Sequence, residues 1–293
     1  MMKMSKKLAC AGAGALLLGC STLAQAARVD ASLSYDPAGM AHTAGLPSGS
    51  VARSDPSSID LATPDLVSAN GGHANYSRYL DAEAHVDVNG VMAASTFMSA
   101  GGTTVARVGW TESIQNQTQN SQRYQLNLDV SGLYFDVEYL GHRGGSDFAM
   151  GYMANVTVGG VEVWSSYARF QVQDRATSVV KQGVDFGTGS LHVNPMRDAI
   201  SYTMANFHGA VGLGSVAAGQ DVEVSYNLWT FNSWNDPQGC VYECTWSSSR
   251  VGDPFGVSGP SISAVPEPDT YAMLLGGLGL VGLAARRRKA RAG

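Results

Sequence analysis

From Leu80 to Val88 an apolar residue stands at every second position: Leu80, Ala82, Ala84, Val86 and Val88 alternate with Asp81, Glu83, His85 and Asp87. A period of two is the mark of a β-strand with one covered face, and no amphipathic helix produces it. Asn89-Gly90 follows, and Val91 to Met98 resumes the strand pattern. Asn-Gly suits the positive φ angles of a two-residue hairpin turn, so the two runs are predicted to pair antiparallel.

The same grammar recurs along the chain. Arg28 to Tyr35 alternates, with Val29, Ala31, Leu33 and Tyr35 on one face. Thr103 to Glu112 is a further strand. Tyr124, Leu126, Leu128 and Val130 face away from Arg123, Gln125, Asn127 and Asp129. Ser131-Gly132 predicts a turn into Leu133 to Leu140. Phe148 to Val158 and Val161 to Val172 flank Gly159-Gly160. Ile200 to Phe207 and Asp221 to Phe231 follow, and Thr245 to Val251 is predicted to pair with Asp221 to Phe231. Asp36 to Asn70 is rich in Ser, Pro, Gly and Asp and reads as a long loop. Ser113 to Gln122 and Gly141 to Asp147 read as shorter loops. About ten short strands joined mostly by tight turns predict an all-β domain, an antiparallel β-sandwich of the jelly-roll type.

Both ends carry a different signal. Lys3, Lys6 and Lys7 precede the apolar stretch Leu8 to Gly19, and Ala24-Gln25-Ala26 is a small-x-small site. This is the layout of a signal peptide, residues 1–26, with signal peptidase releasing Ala27 as the new N-terminus. Leu17-Leu18-Gly19-Cys20 is a competing lipobox-like site that would make Cys20 a lipidated terminus.

At the other end Val265-Pro266-Glu267-Pro268 leads into a charge-free apolar run, Tyr271 to Ala285, closed by Arg286, Arg287, Arg288 and Lys289. As a helix of 1.5 Å rise the run reaches roughly 22 Å, short of the ~30 Å hydrocarbon core, and snorkelling arginines lengthen it somewhat. It is therefore a marginal single transmembrane helix, suited to a temporary anchor, with its basic end on the cytoplasmic side. The two prolines keep the preceding segment extended. Gly277 to Gly282 fits G-x-G-x-x-G, but no strand precedes it and no acidic residue follows, so dinucleotide binding is excluded.

Pro-Glu-Pro, an apolar helix and a basic stop together resemble the PEP-CTERM sorting signal, here residues 263–293. The resemblance implies an exosortase partner, a transient stay in the inner membrane, cleavage near Pro266-Glu267-Pro268 and delivery to the cell surface or exopolysaccharide matrix. The central region, residues 27–262, is similar to other PEP-CTERM ectodomains at Gln125 to Val130, Gly159 to Trp164 and Gly252-Asp253-Pro254-Phe255. That likeness carries no assigned chemistry.

Charge narrows the partners. The whole chain has 19 basic and 24 acidic residues, net −5, and eight of the basic ones sit in the two ends. The domain between them is strongly acidic and keeps Lys181 as its one lysine, which argues against nucleic acid. Of the four cysteines, Cys240 and Cys244 lie in that domain. In an oxidising compartment they point to a disulfide stapling a short loop; zinc ligation and two free thiols are the other readings.

No nucleophile elbow, H-E-x-x-H, P-loop or EF-hand loop is present, and the six histidines are scattered. No catalytic residue and no cofactor is expected. Asp81, Glu83 and Asp87 share one strand face, either as solvated polar surface or as calcium ligands. Trp229, Trp234, Tyr242 and Trp246, with Phe231, crowd around the cysteine loop in sequence. Aromatic rings pack strands, and exposed ones stack on sugars. The leading expectation is a non-enzymatic surface or matrix protein. A carbohydrate-binding module and a hydrolase with unrecognised carboxylates are the alternatives.

Overall fold

The computed structural model describes residues 27–36, 49–62, 80–98, 101–138, 147–173, 176–235, 246–252, 259–266, 273–283 and 287. Among them sixteen strands form two antiparallel sheets. The first sheet takes β1 (Arg28–Asp36), β2 (Gly49–Asp55), β6 (Gly102–Gln115), β8 (Asp147–Val158), β9 (Val161–Gln173), β10 (Ala176–Gly183) and β14 (Asp221–Asn235), in the order β10-β9-β8-β14-β6-β1-β2. The second takes β3 (Ser58–Ala62), β4 (Leu80–Asp87), β5 (Met92–Met98), β7 (Gln122–Glu138), β11 (Ser190–Asn194), β12 (Ala199–Thr203) and β15 (Trp246–Gly252), in the order β11-β12-β7-β15-β5-β4-β3. The remaining strands, β13 (Phe207–Val216) and β16 (Ser261–Val265), both pair with the N-terminal half of β7.

The alternation places one set of side chains between the sheets. Val29, Ala31 and Leu33 of β1, Val108 and Trp110 of β6, and Tyr226 and Leu228 of β14 are buried from one side. Val86, Met92, Phe135, Val137 and Val251 close the core from the other. The core also holds a short polar seam. Ser249 Oγ lies 2.6 Å from Thr96 Oγ1 and 2.7 Å from Thr230 Oγ1, and Ser247 donates to Asn232 at 2.9 Å. The hydroxyls of the seam and Asn232 Oδ1 have partners, but Asn232 Nδ2 is buried without one, so the seam carries a desolvation penalty at that amide. At one end Phe186 stacks on Tyr152, Trp164 and Phe207 at 5.0–6.2 Å between centroids.

The predicted hairpin is present: β4 and β5 pair from Leu80↔Met98 to Val86↔Met92. Asp87 accepts from Asn89 N and Val91 N, and Gly90 takes φ +79°. Four expectations need correction. Asp36 to Asn70 is not wholly loop, because β2 and β3 lie within it; both are edge strands, β2 almost wholly exposed and without alternation, and β3 alternating at Ile59 and Leu61 over only five residues. Ser131-Gly132 does not end a strand. β7 runs through it, and Gly132 at φ +64° lets the strand pass from the pairing of β13 and β16 to that of β12 and β15. Ile200 to Phe207 divides between β12 and β13. Finally, β15 pairs with β5 and β7 rather than with Asp221 to Phe231. Both edges of β14 are occupied by β6 and β8, so β15 meets β14 face to face across the core.

Residues 273–283 are helical and exposed, and among the described residues no helix is long and apolar enough to cross a membrane.

Candidate functional site

The outer face of the first sheet is built in rows by strand register. One row runs Ser54, Asp30, Gly109, Asn227, Asn155 and Ser165. The next runs Ala52, Ser32, Arg107, Trp229, Met153 and Tyr167. Small residues at one end and large ones in the middle leave a groove of about 560 Å³, lined by Asp30, Ser32, Arg107, Asn155, Asn227 and Trp229 among others. That volume is ordinary for a ligand site. Arg53 borders the groove, but its register with the buried Ala31 directs its side chain to the other face.

Three features order this groove. Arg107 sits over the Trp229 ring, its guanidinium carbon 5.5 Å from the centroid, a cation–π contact that braces the indole. Asn227 Nδ2 donates to Asn155 Oδ1 at 3.1 Å, and Asn155 Nδ2 donates to Glu162 Oε2 at 3.2 Å. An ionised carboxylate only accepts, so Glu162 sets the direction of both amides and leaves Asn227 Oδ1 as an acceptor on the groove side. The third is Gly109, where a Cβ would stand 2.8 Å from Asn227 Oδ1. Glycine there lets the amide lie close to the sheet.

The aromatic residues expected to cluster are divided among separate environments. Trp229 is in the groove and half-buried. Trp234 is buried at 1% exposure and stacks on Phe148 at 5.1 Å, so it is a core residue with no face for a sugar. Trp246 lies on the second sheet and stacks on Phe97 at 5.6 Å. The reason is the pairing of β15: the outer sides of β14 and β15 point away from each other. Tyr242, Cys240 and Cys244 lie outside the described residues.

The outer face of the second sheet is acidic. Asp81 and Glu83 share it with Asp136 and Glu138, both of which are buried. Burial pushes the Asp136 carboxyl up, and a hydrogen bond from Tyr134 partly offsets this. Leu133, Phe135 and Val137 alternate with Tyr134, Asp136 and Glu138, so the sequence puts this pair on the polar face without revealing that this face is covered here too. Asp87, one of the expected calcium-ligand trio, is engaged in the β4–β5 turn. Among the described residues no three His, Cys, Asp or Glu side chains converge as a metal site would need.

At the C-terminal end β16 holds the chain to the body up to Val265. Ala264 pairs with Tyr124 and Val265 with Arg123, and Gln122 Nε2 donates to Val265 O at 3.0 Å. Pro266 is exposed immediately beyond the strand. Glu267, Pro268, Arg286, Arg288 and Lys289 lie outside the described residues, and Arg287 is exposed. The leader, with Cys20, Ala24 and Ala26, also lies outside them. Ala27 is described: it packs against the core one residue before β1 begins.

Residues 264–289 match the family model of the PEP-CTERM protein-sorting motif. The chain thus carries the signal by which exosortase sorts exported proteins to the cell surface. No curated protein matches the chain.

Proposed function

We propose that this is a non-enzymatic component of the cell surface or exopolysaccharide matrix, which holds a saccharide in the groove beside Trp229. The observation that carries this reading is the pairing of one braced indole with a directed row of amides. The C–H face of a sugar ring packs on an indole, and its hydroxyls pair with amide donors and acceptors. A groove crossing several strands leaves room for a chain to continue at both ends. The strands pass repeatedly between two sheets, which supports a jelly-roll assignment.

Processing completes the reading. Signal peptidase would release Ala27, next to the first strand. The exposed apolar residues Met273 to Leu283 and the basic residues after them would hold the precursor briefly in the inner membrane. Exosortase would then cut next to β16. The test is a triple replacement, Pro266→Ala, Glu267→Ala and Pro268→Ala, combined separately with Trp229→Ala. The triple variant should accumulate as a membrane-held precursor. The Trp229 variant should be processed normally and fail to bind polysaccharide. Normal release of the first, or full binding by the second, would remove the corresponding half of the proposal.

A further inference from the structure

The groove is the centre of a longer surface, and its charge differs from that of the domain around it. Between Ala27 and Val265 the chain has 11 basic and 22 acidic residues. Yet the central rows of the first sheet's outer face carry Arg107 and Arg169 against one carboxylate, Asp30, and Glu162 in the next row is engaged by Asn155. Asp30 is already paired with Arg28, its Oδ2 3.5 Å from Arg28 Nε. Neither Arg107 nor Arg169 forms an ion pair among the described residues. Arg169 Nε is buried and donates to no acceptor there. That nitrogen is out of a ligand's reach, but Arg169 is partly exposed and Arg107 exposed, so each can offer its outer N–H groups to a carboxylate or sulfate.

Aromatic residues are spaced along the same surface. Tyr167 stands in the row of Trp229, two strands away through Met153, which places the two Cα positions about 9.6 Å apart. Phe231 lies against Gly151, where a Cβ would come within 2.5 Å of its ring, so glycine lets that ring lie flat on the sheet. Arg169 is opposite Gly151 on the next strand. The surface therefore sets two rings, Trp229 and Tyr167, between two guanidiniums, Arg107 and Arg169, with residues of β6, β14 and β9.

We infer that the ligand of this face is an acidic polysaccharide, its chain laid across the strands with sugar rings on Trp229 and Tyr167 and its carboxylates on Arg107 and Arg169. The inference rests on the saccharide reading above and adds the class of sugar. It follows from two guanidiniums without ion pairs that share one sheet face with the groove's aromatic rings, in an otherwise acidic domain.

The exported, processed protein would be titrated with alginate, with dextran as a neutral polysaccharide and with polyacrylate as a polyanion without sugar rings. Alginate should bind best, and 0.5 M salt should weaken it more than dextran. Arg107→Gln with Arg169→Gln should lower alginate affinity by about tenfold or more, the scale of lost charge-assisted hydrogen bonds, and lower dextran affinity much less, by no more than the lost brace on Trp229 costs. Equal binding of alginate and dextran, or no effect of the double Gln variant, overturns the acidic inference and leaves the saccharide reading intact if Trp229→Ala still abolishes binding. Polyacrylate binding as tight as alginate, or binding of every polysaccharide unchanged in Trp229→Ala, overturns both. So does an absence of binding to all three. Circular dichroism of each variant confirms the fold, since the two arginines make no ion pair whose loss would unfold it.

Discussion

Trp229 and Trp234 stand on one strand, and replacing each by alanine should have opposite consequences. Trp234 is 1% exposed and stacked on Phe148, with both sheets around it. Removing so large a buried ring loses its transfer free energy and leaves a cavity that a close-packed core only partly fills, about 3–5 kcal/mol. In a domain of this size that corresponds to a fall in Tm of about 6–20 °C. Trp229 is half-buried, and its packing partner Arg107 can return to water. Its loss should cost about 1–2 kcal/mol, a fall of a few degrees. Thermal melts of both variants, followed by circular dichroism, measure this difference. Polysaccharide binding, measured well below each Tm, should show the reverse order: unchanged in Trp234→Ala and lost in Trp229→Ala. Equal stability losses would refute the assignment of the two rings to core and groove. Loss of binding in a still-folded Trp234→Ala would place the sugar elsewhere.

Further expectations follow from other residues. Asn116 is fully buried and its amide donates to Asn120 O and Val216 O at 2.8 and 2.7 Å, so Asn116→Ala should cost about 2–3 kcal/mol by leaving carbonyls without donors, as a urea titration would show. Gly109→Ala should leave the melting temperature nearly unchanged, because its close contact is the free end of a side chain, but turn the Asn227 amide and weaken saccharide binding in calorimetry. Asp136 has a folded pKa above its ordinary value, so its native form holds the proton more tightly than the unfolded chain does. Stability from this group is complete below the usual aspartate range and is lost as pH rises through the raised value. Asp136→Asn should therefore stabilise the protein at neutral pH, with the gain vanishing towards pH ~4 in melts taken across the range. A loss at neutral pH would show that the charged carboxylate is needed.

Much of the fold is legible in single strands. Alternation records which residues one sheet covers, and that information is local. It suffices for β1, for β4 and β5 with the Asn89-Gly90 turn, and for the first half of β7, where Tyr124, Leu126, Leu128 and Val130 are buried as the pattern implies. It fails where both faces are wet, as along β10 and β11, or where both are covered, as at Asp136 and Glu138. The sorting signal is legible for a different reason: an apolar run and a basic stop act through composition and order, without any tertiary partner.

The pairing of strands was not available in this way. Positions 229 and 234 differ by an odd number, so the sequence already places the two rings on opposite faces. Which face is covered depends on where the second sheet lies, and nothing within β14 states that. β14 had two edges and several candidate partners; β6 and β8 took them, and β15 went to the other sheet. The groove is a product of those choices. Its residues come from β1, β2, β6, β8 and β14, most of which lie far apart in the chain and meet only through backbone hydrogen bonds that any residue can make. Side-chain chemistry determines which residues avoid water. Pairing between strands, set by the competition of all edges at once, determines which of the exposed ones become neighbours.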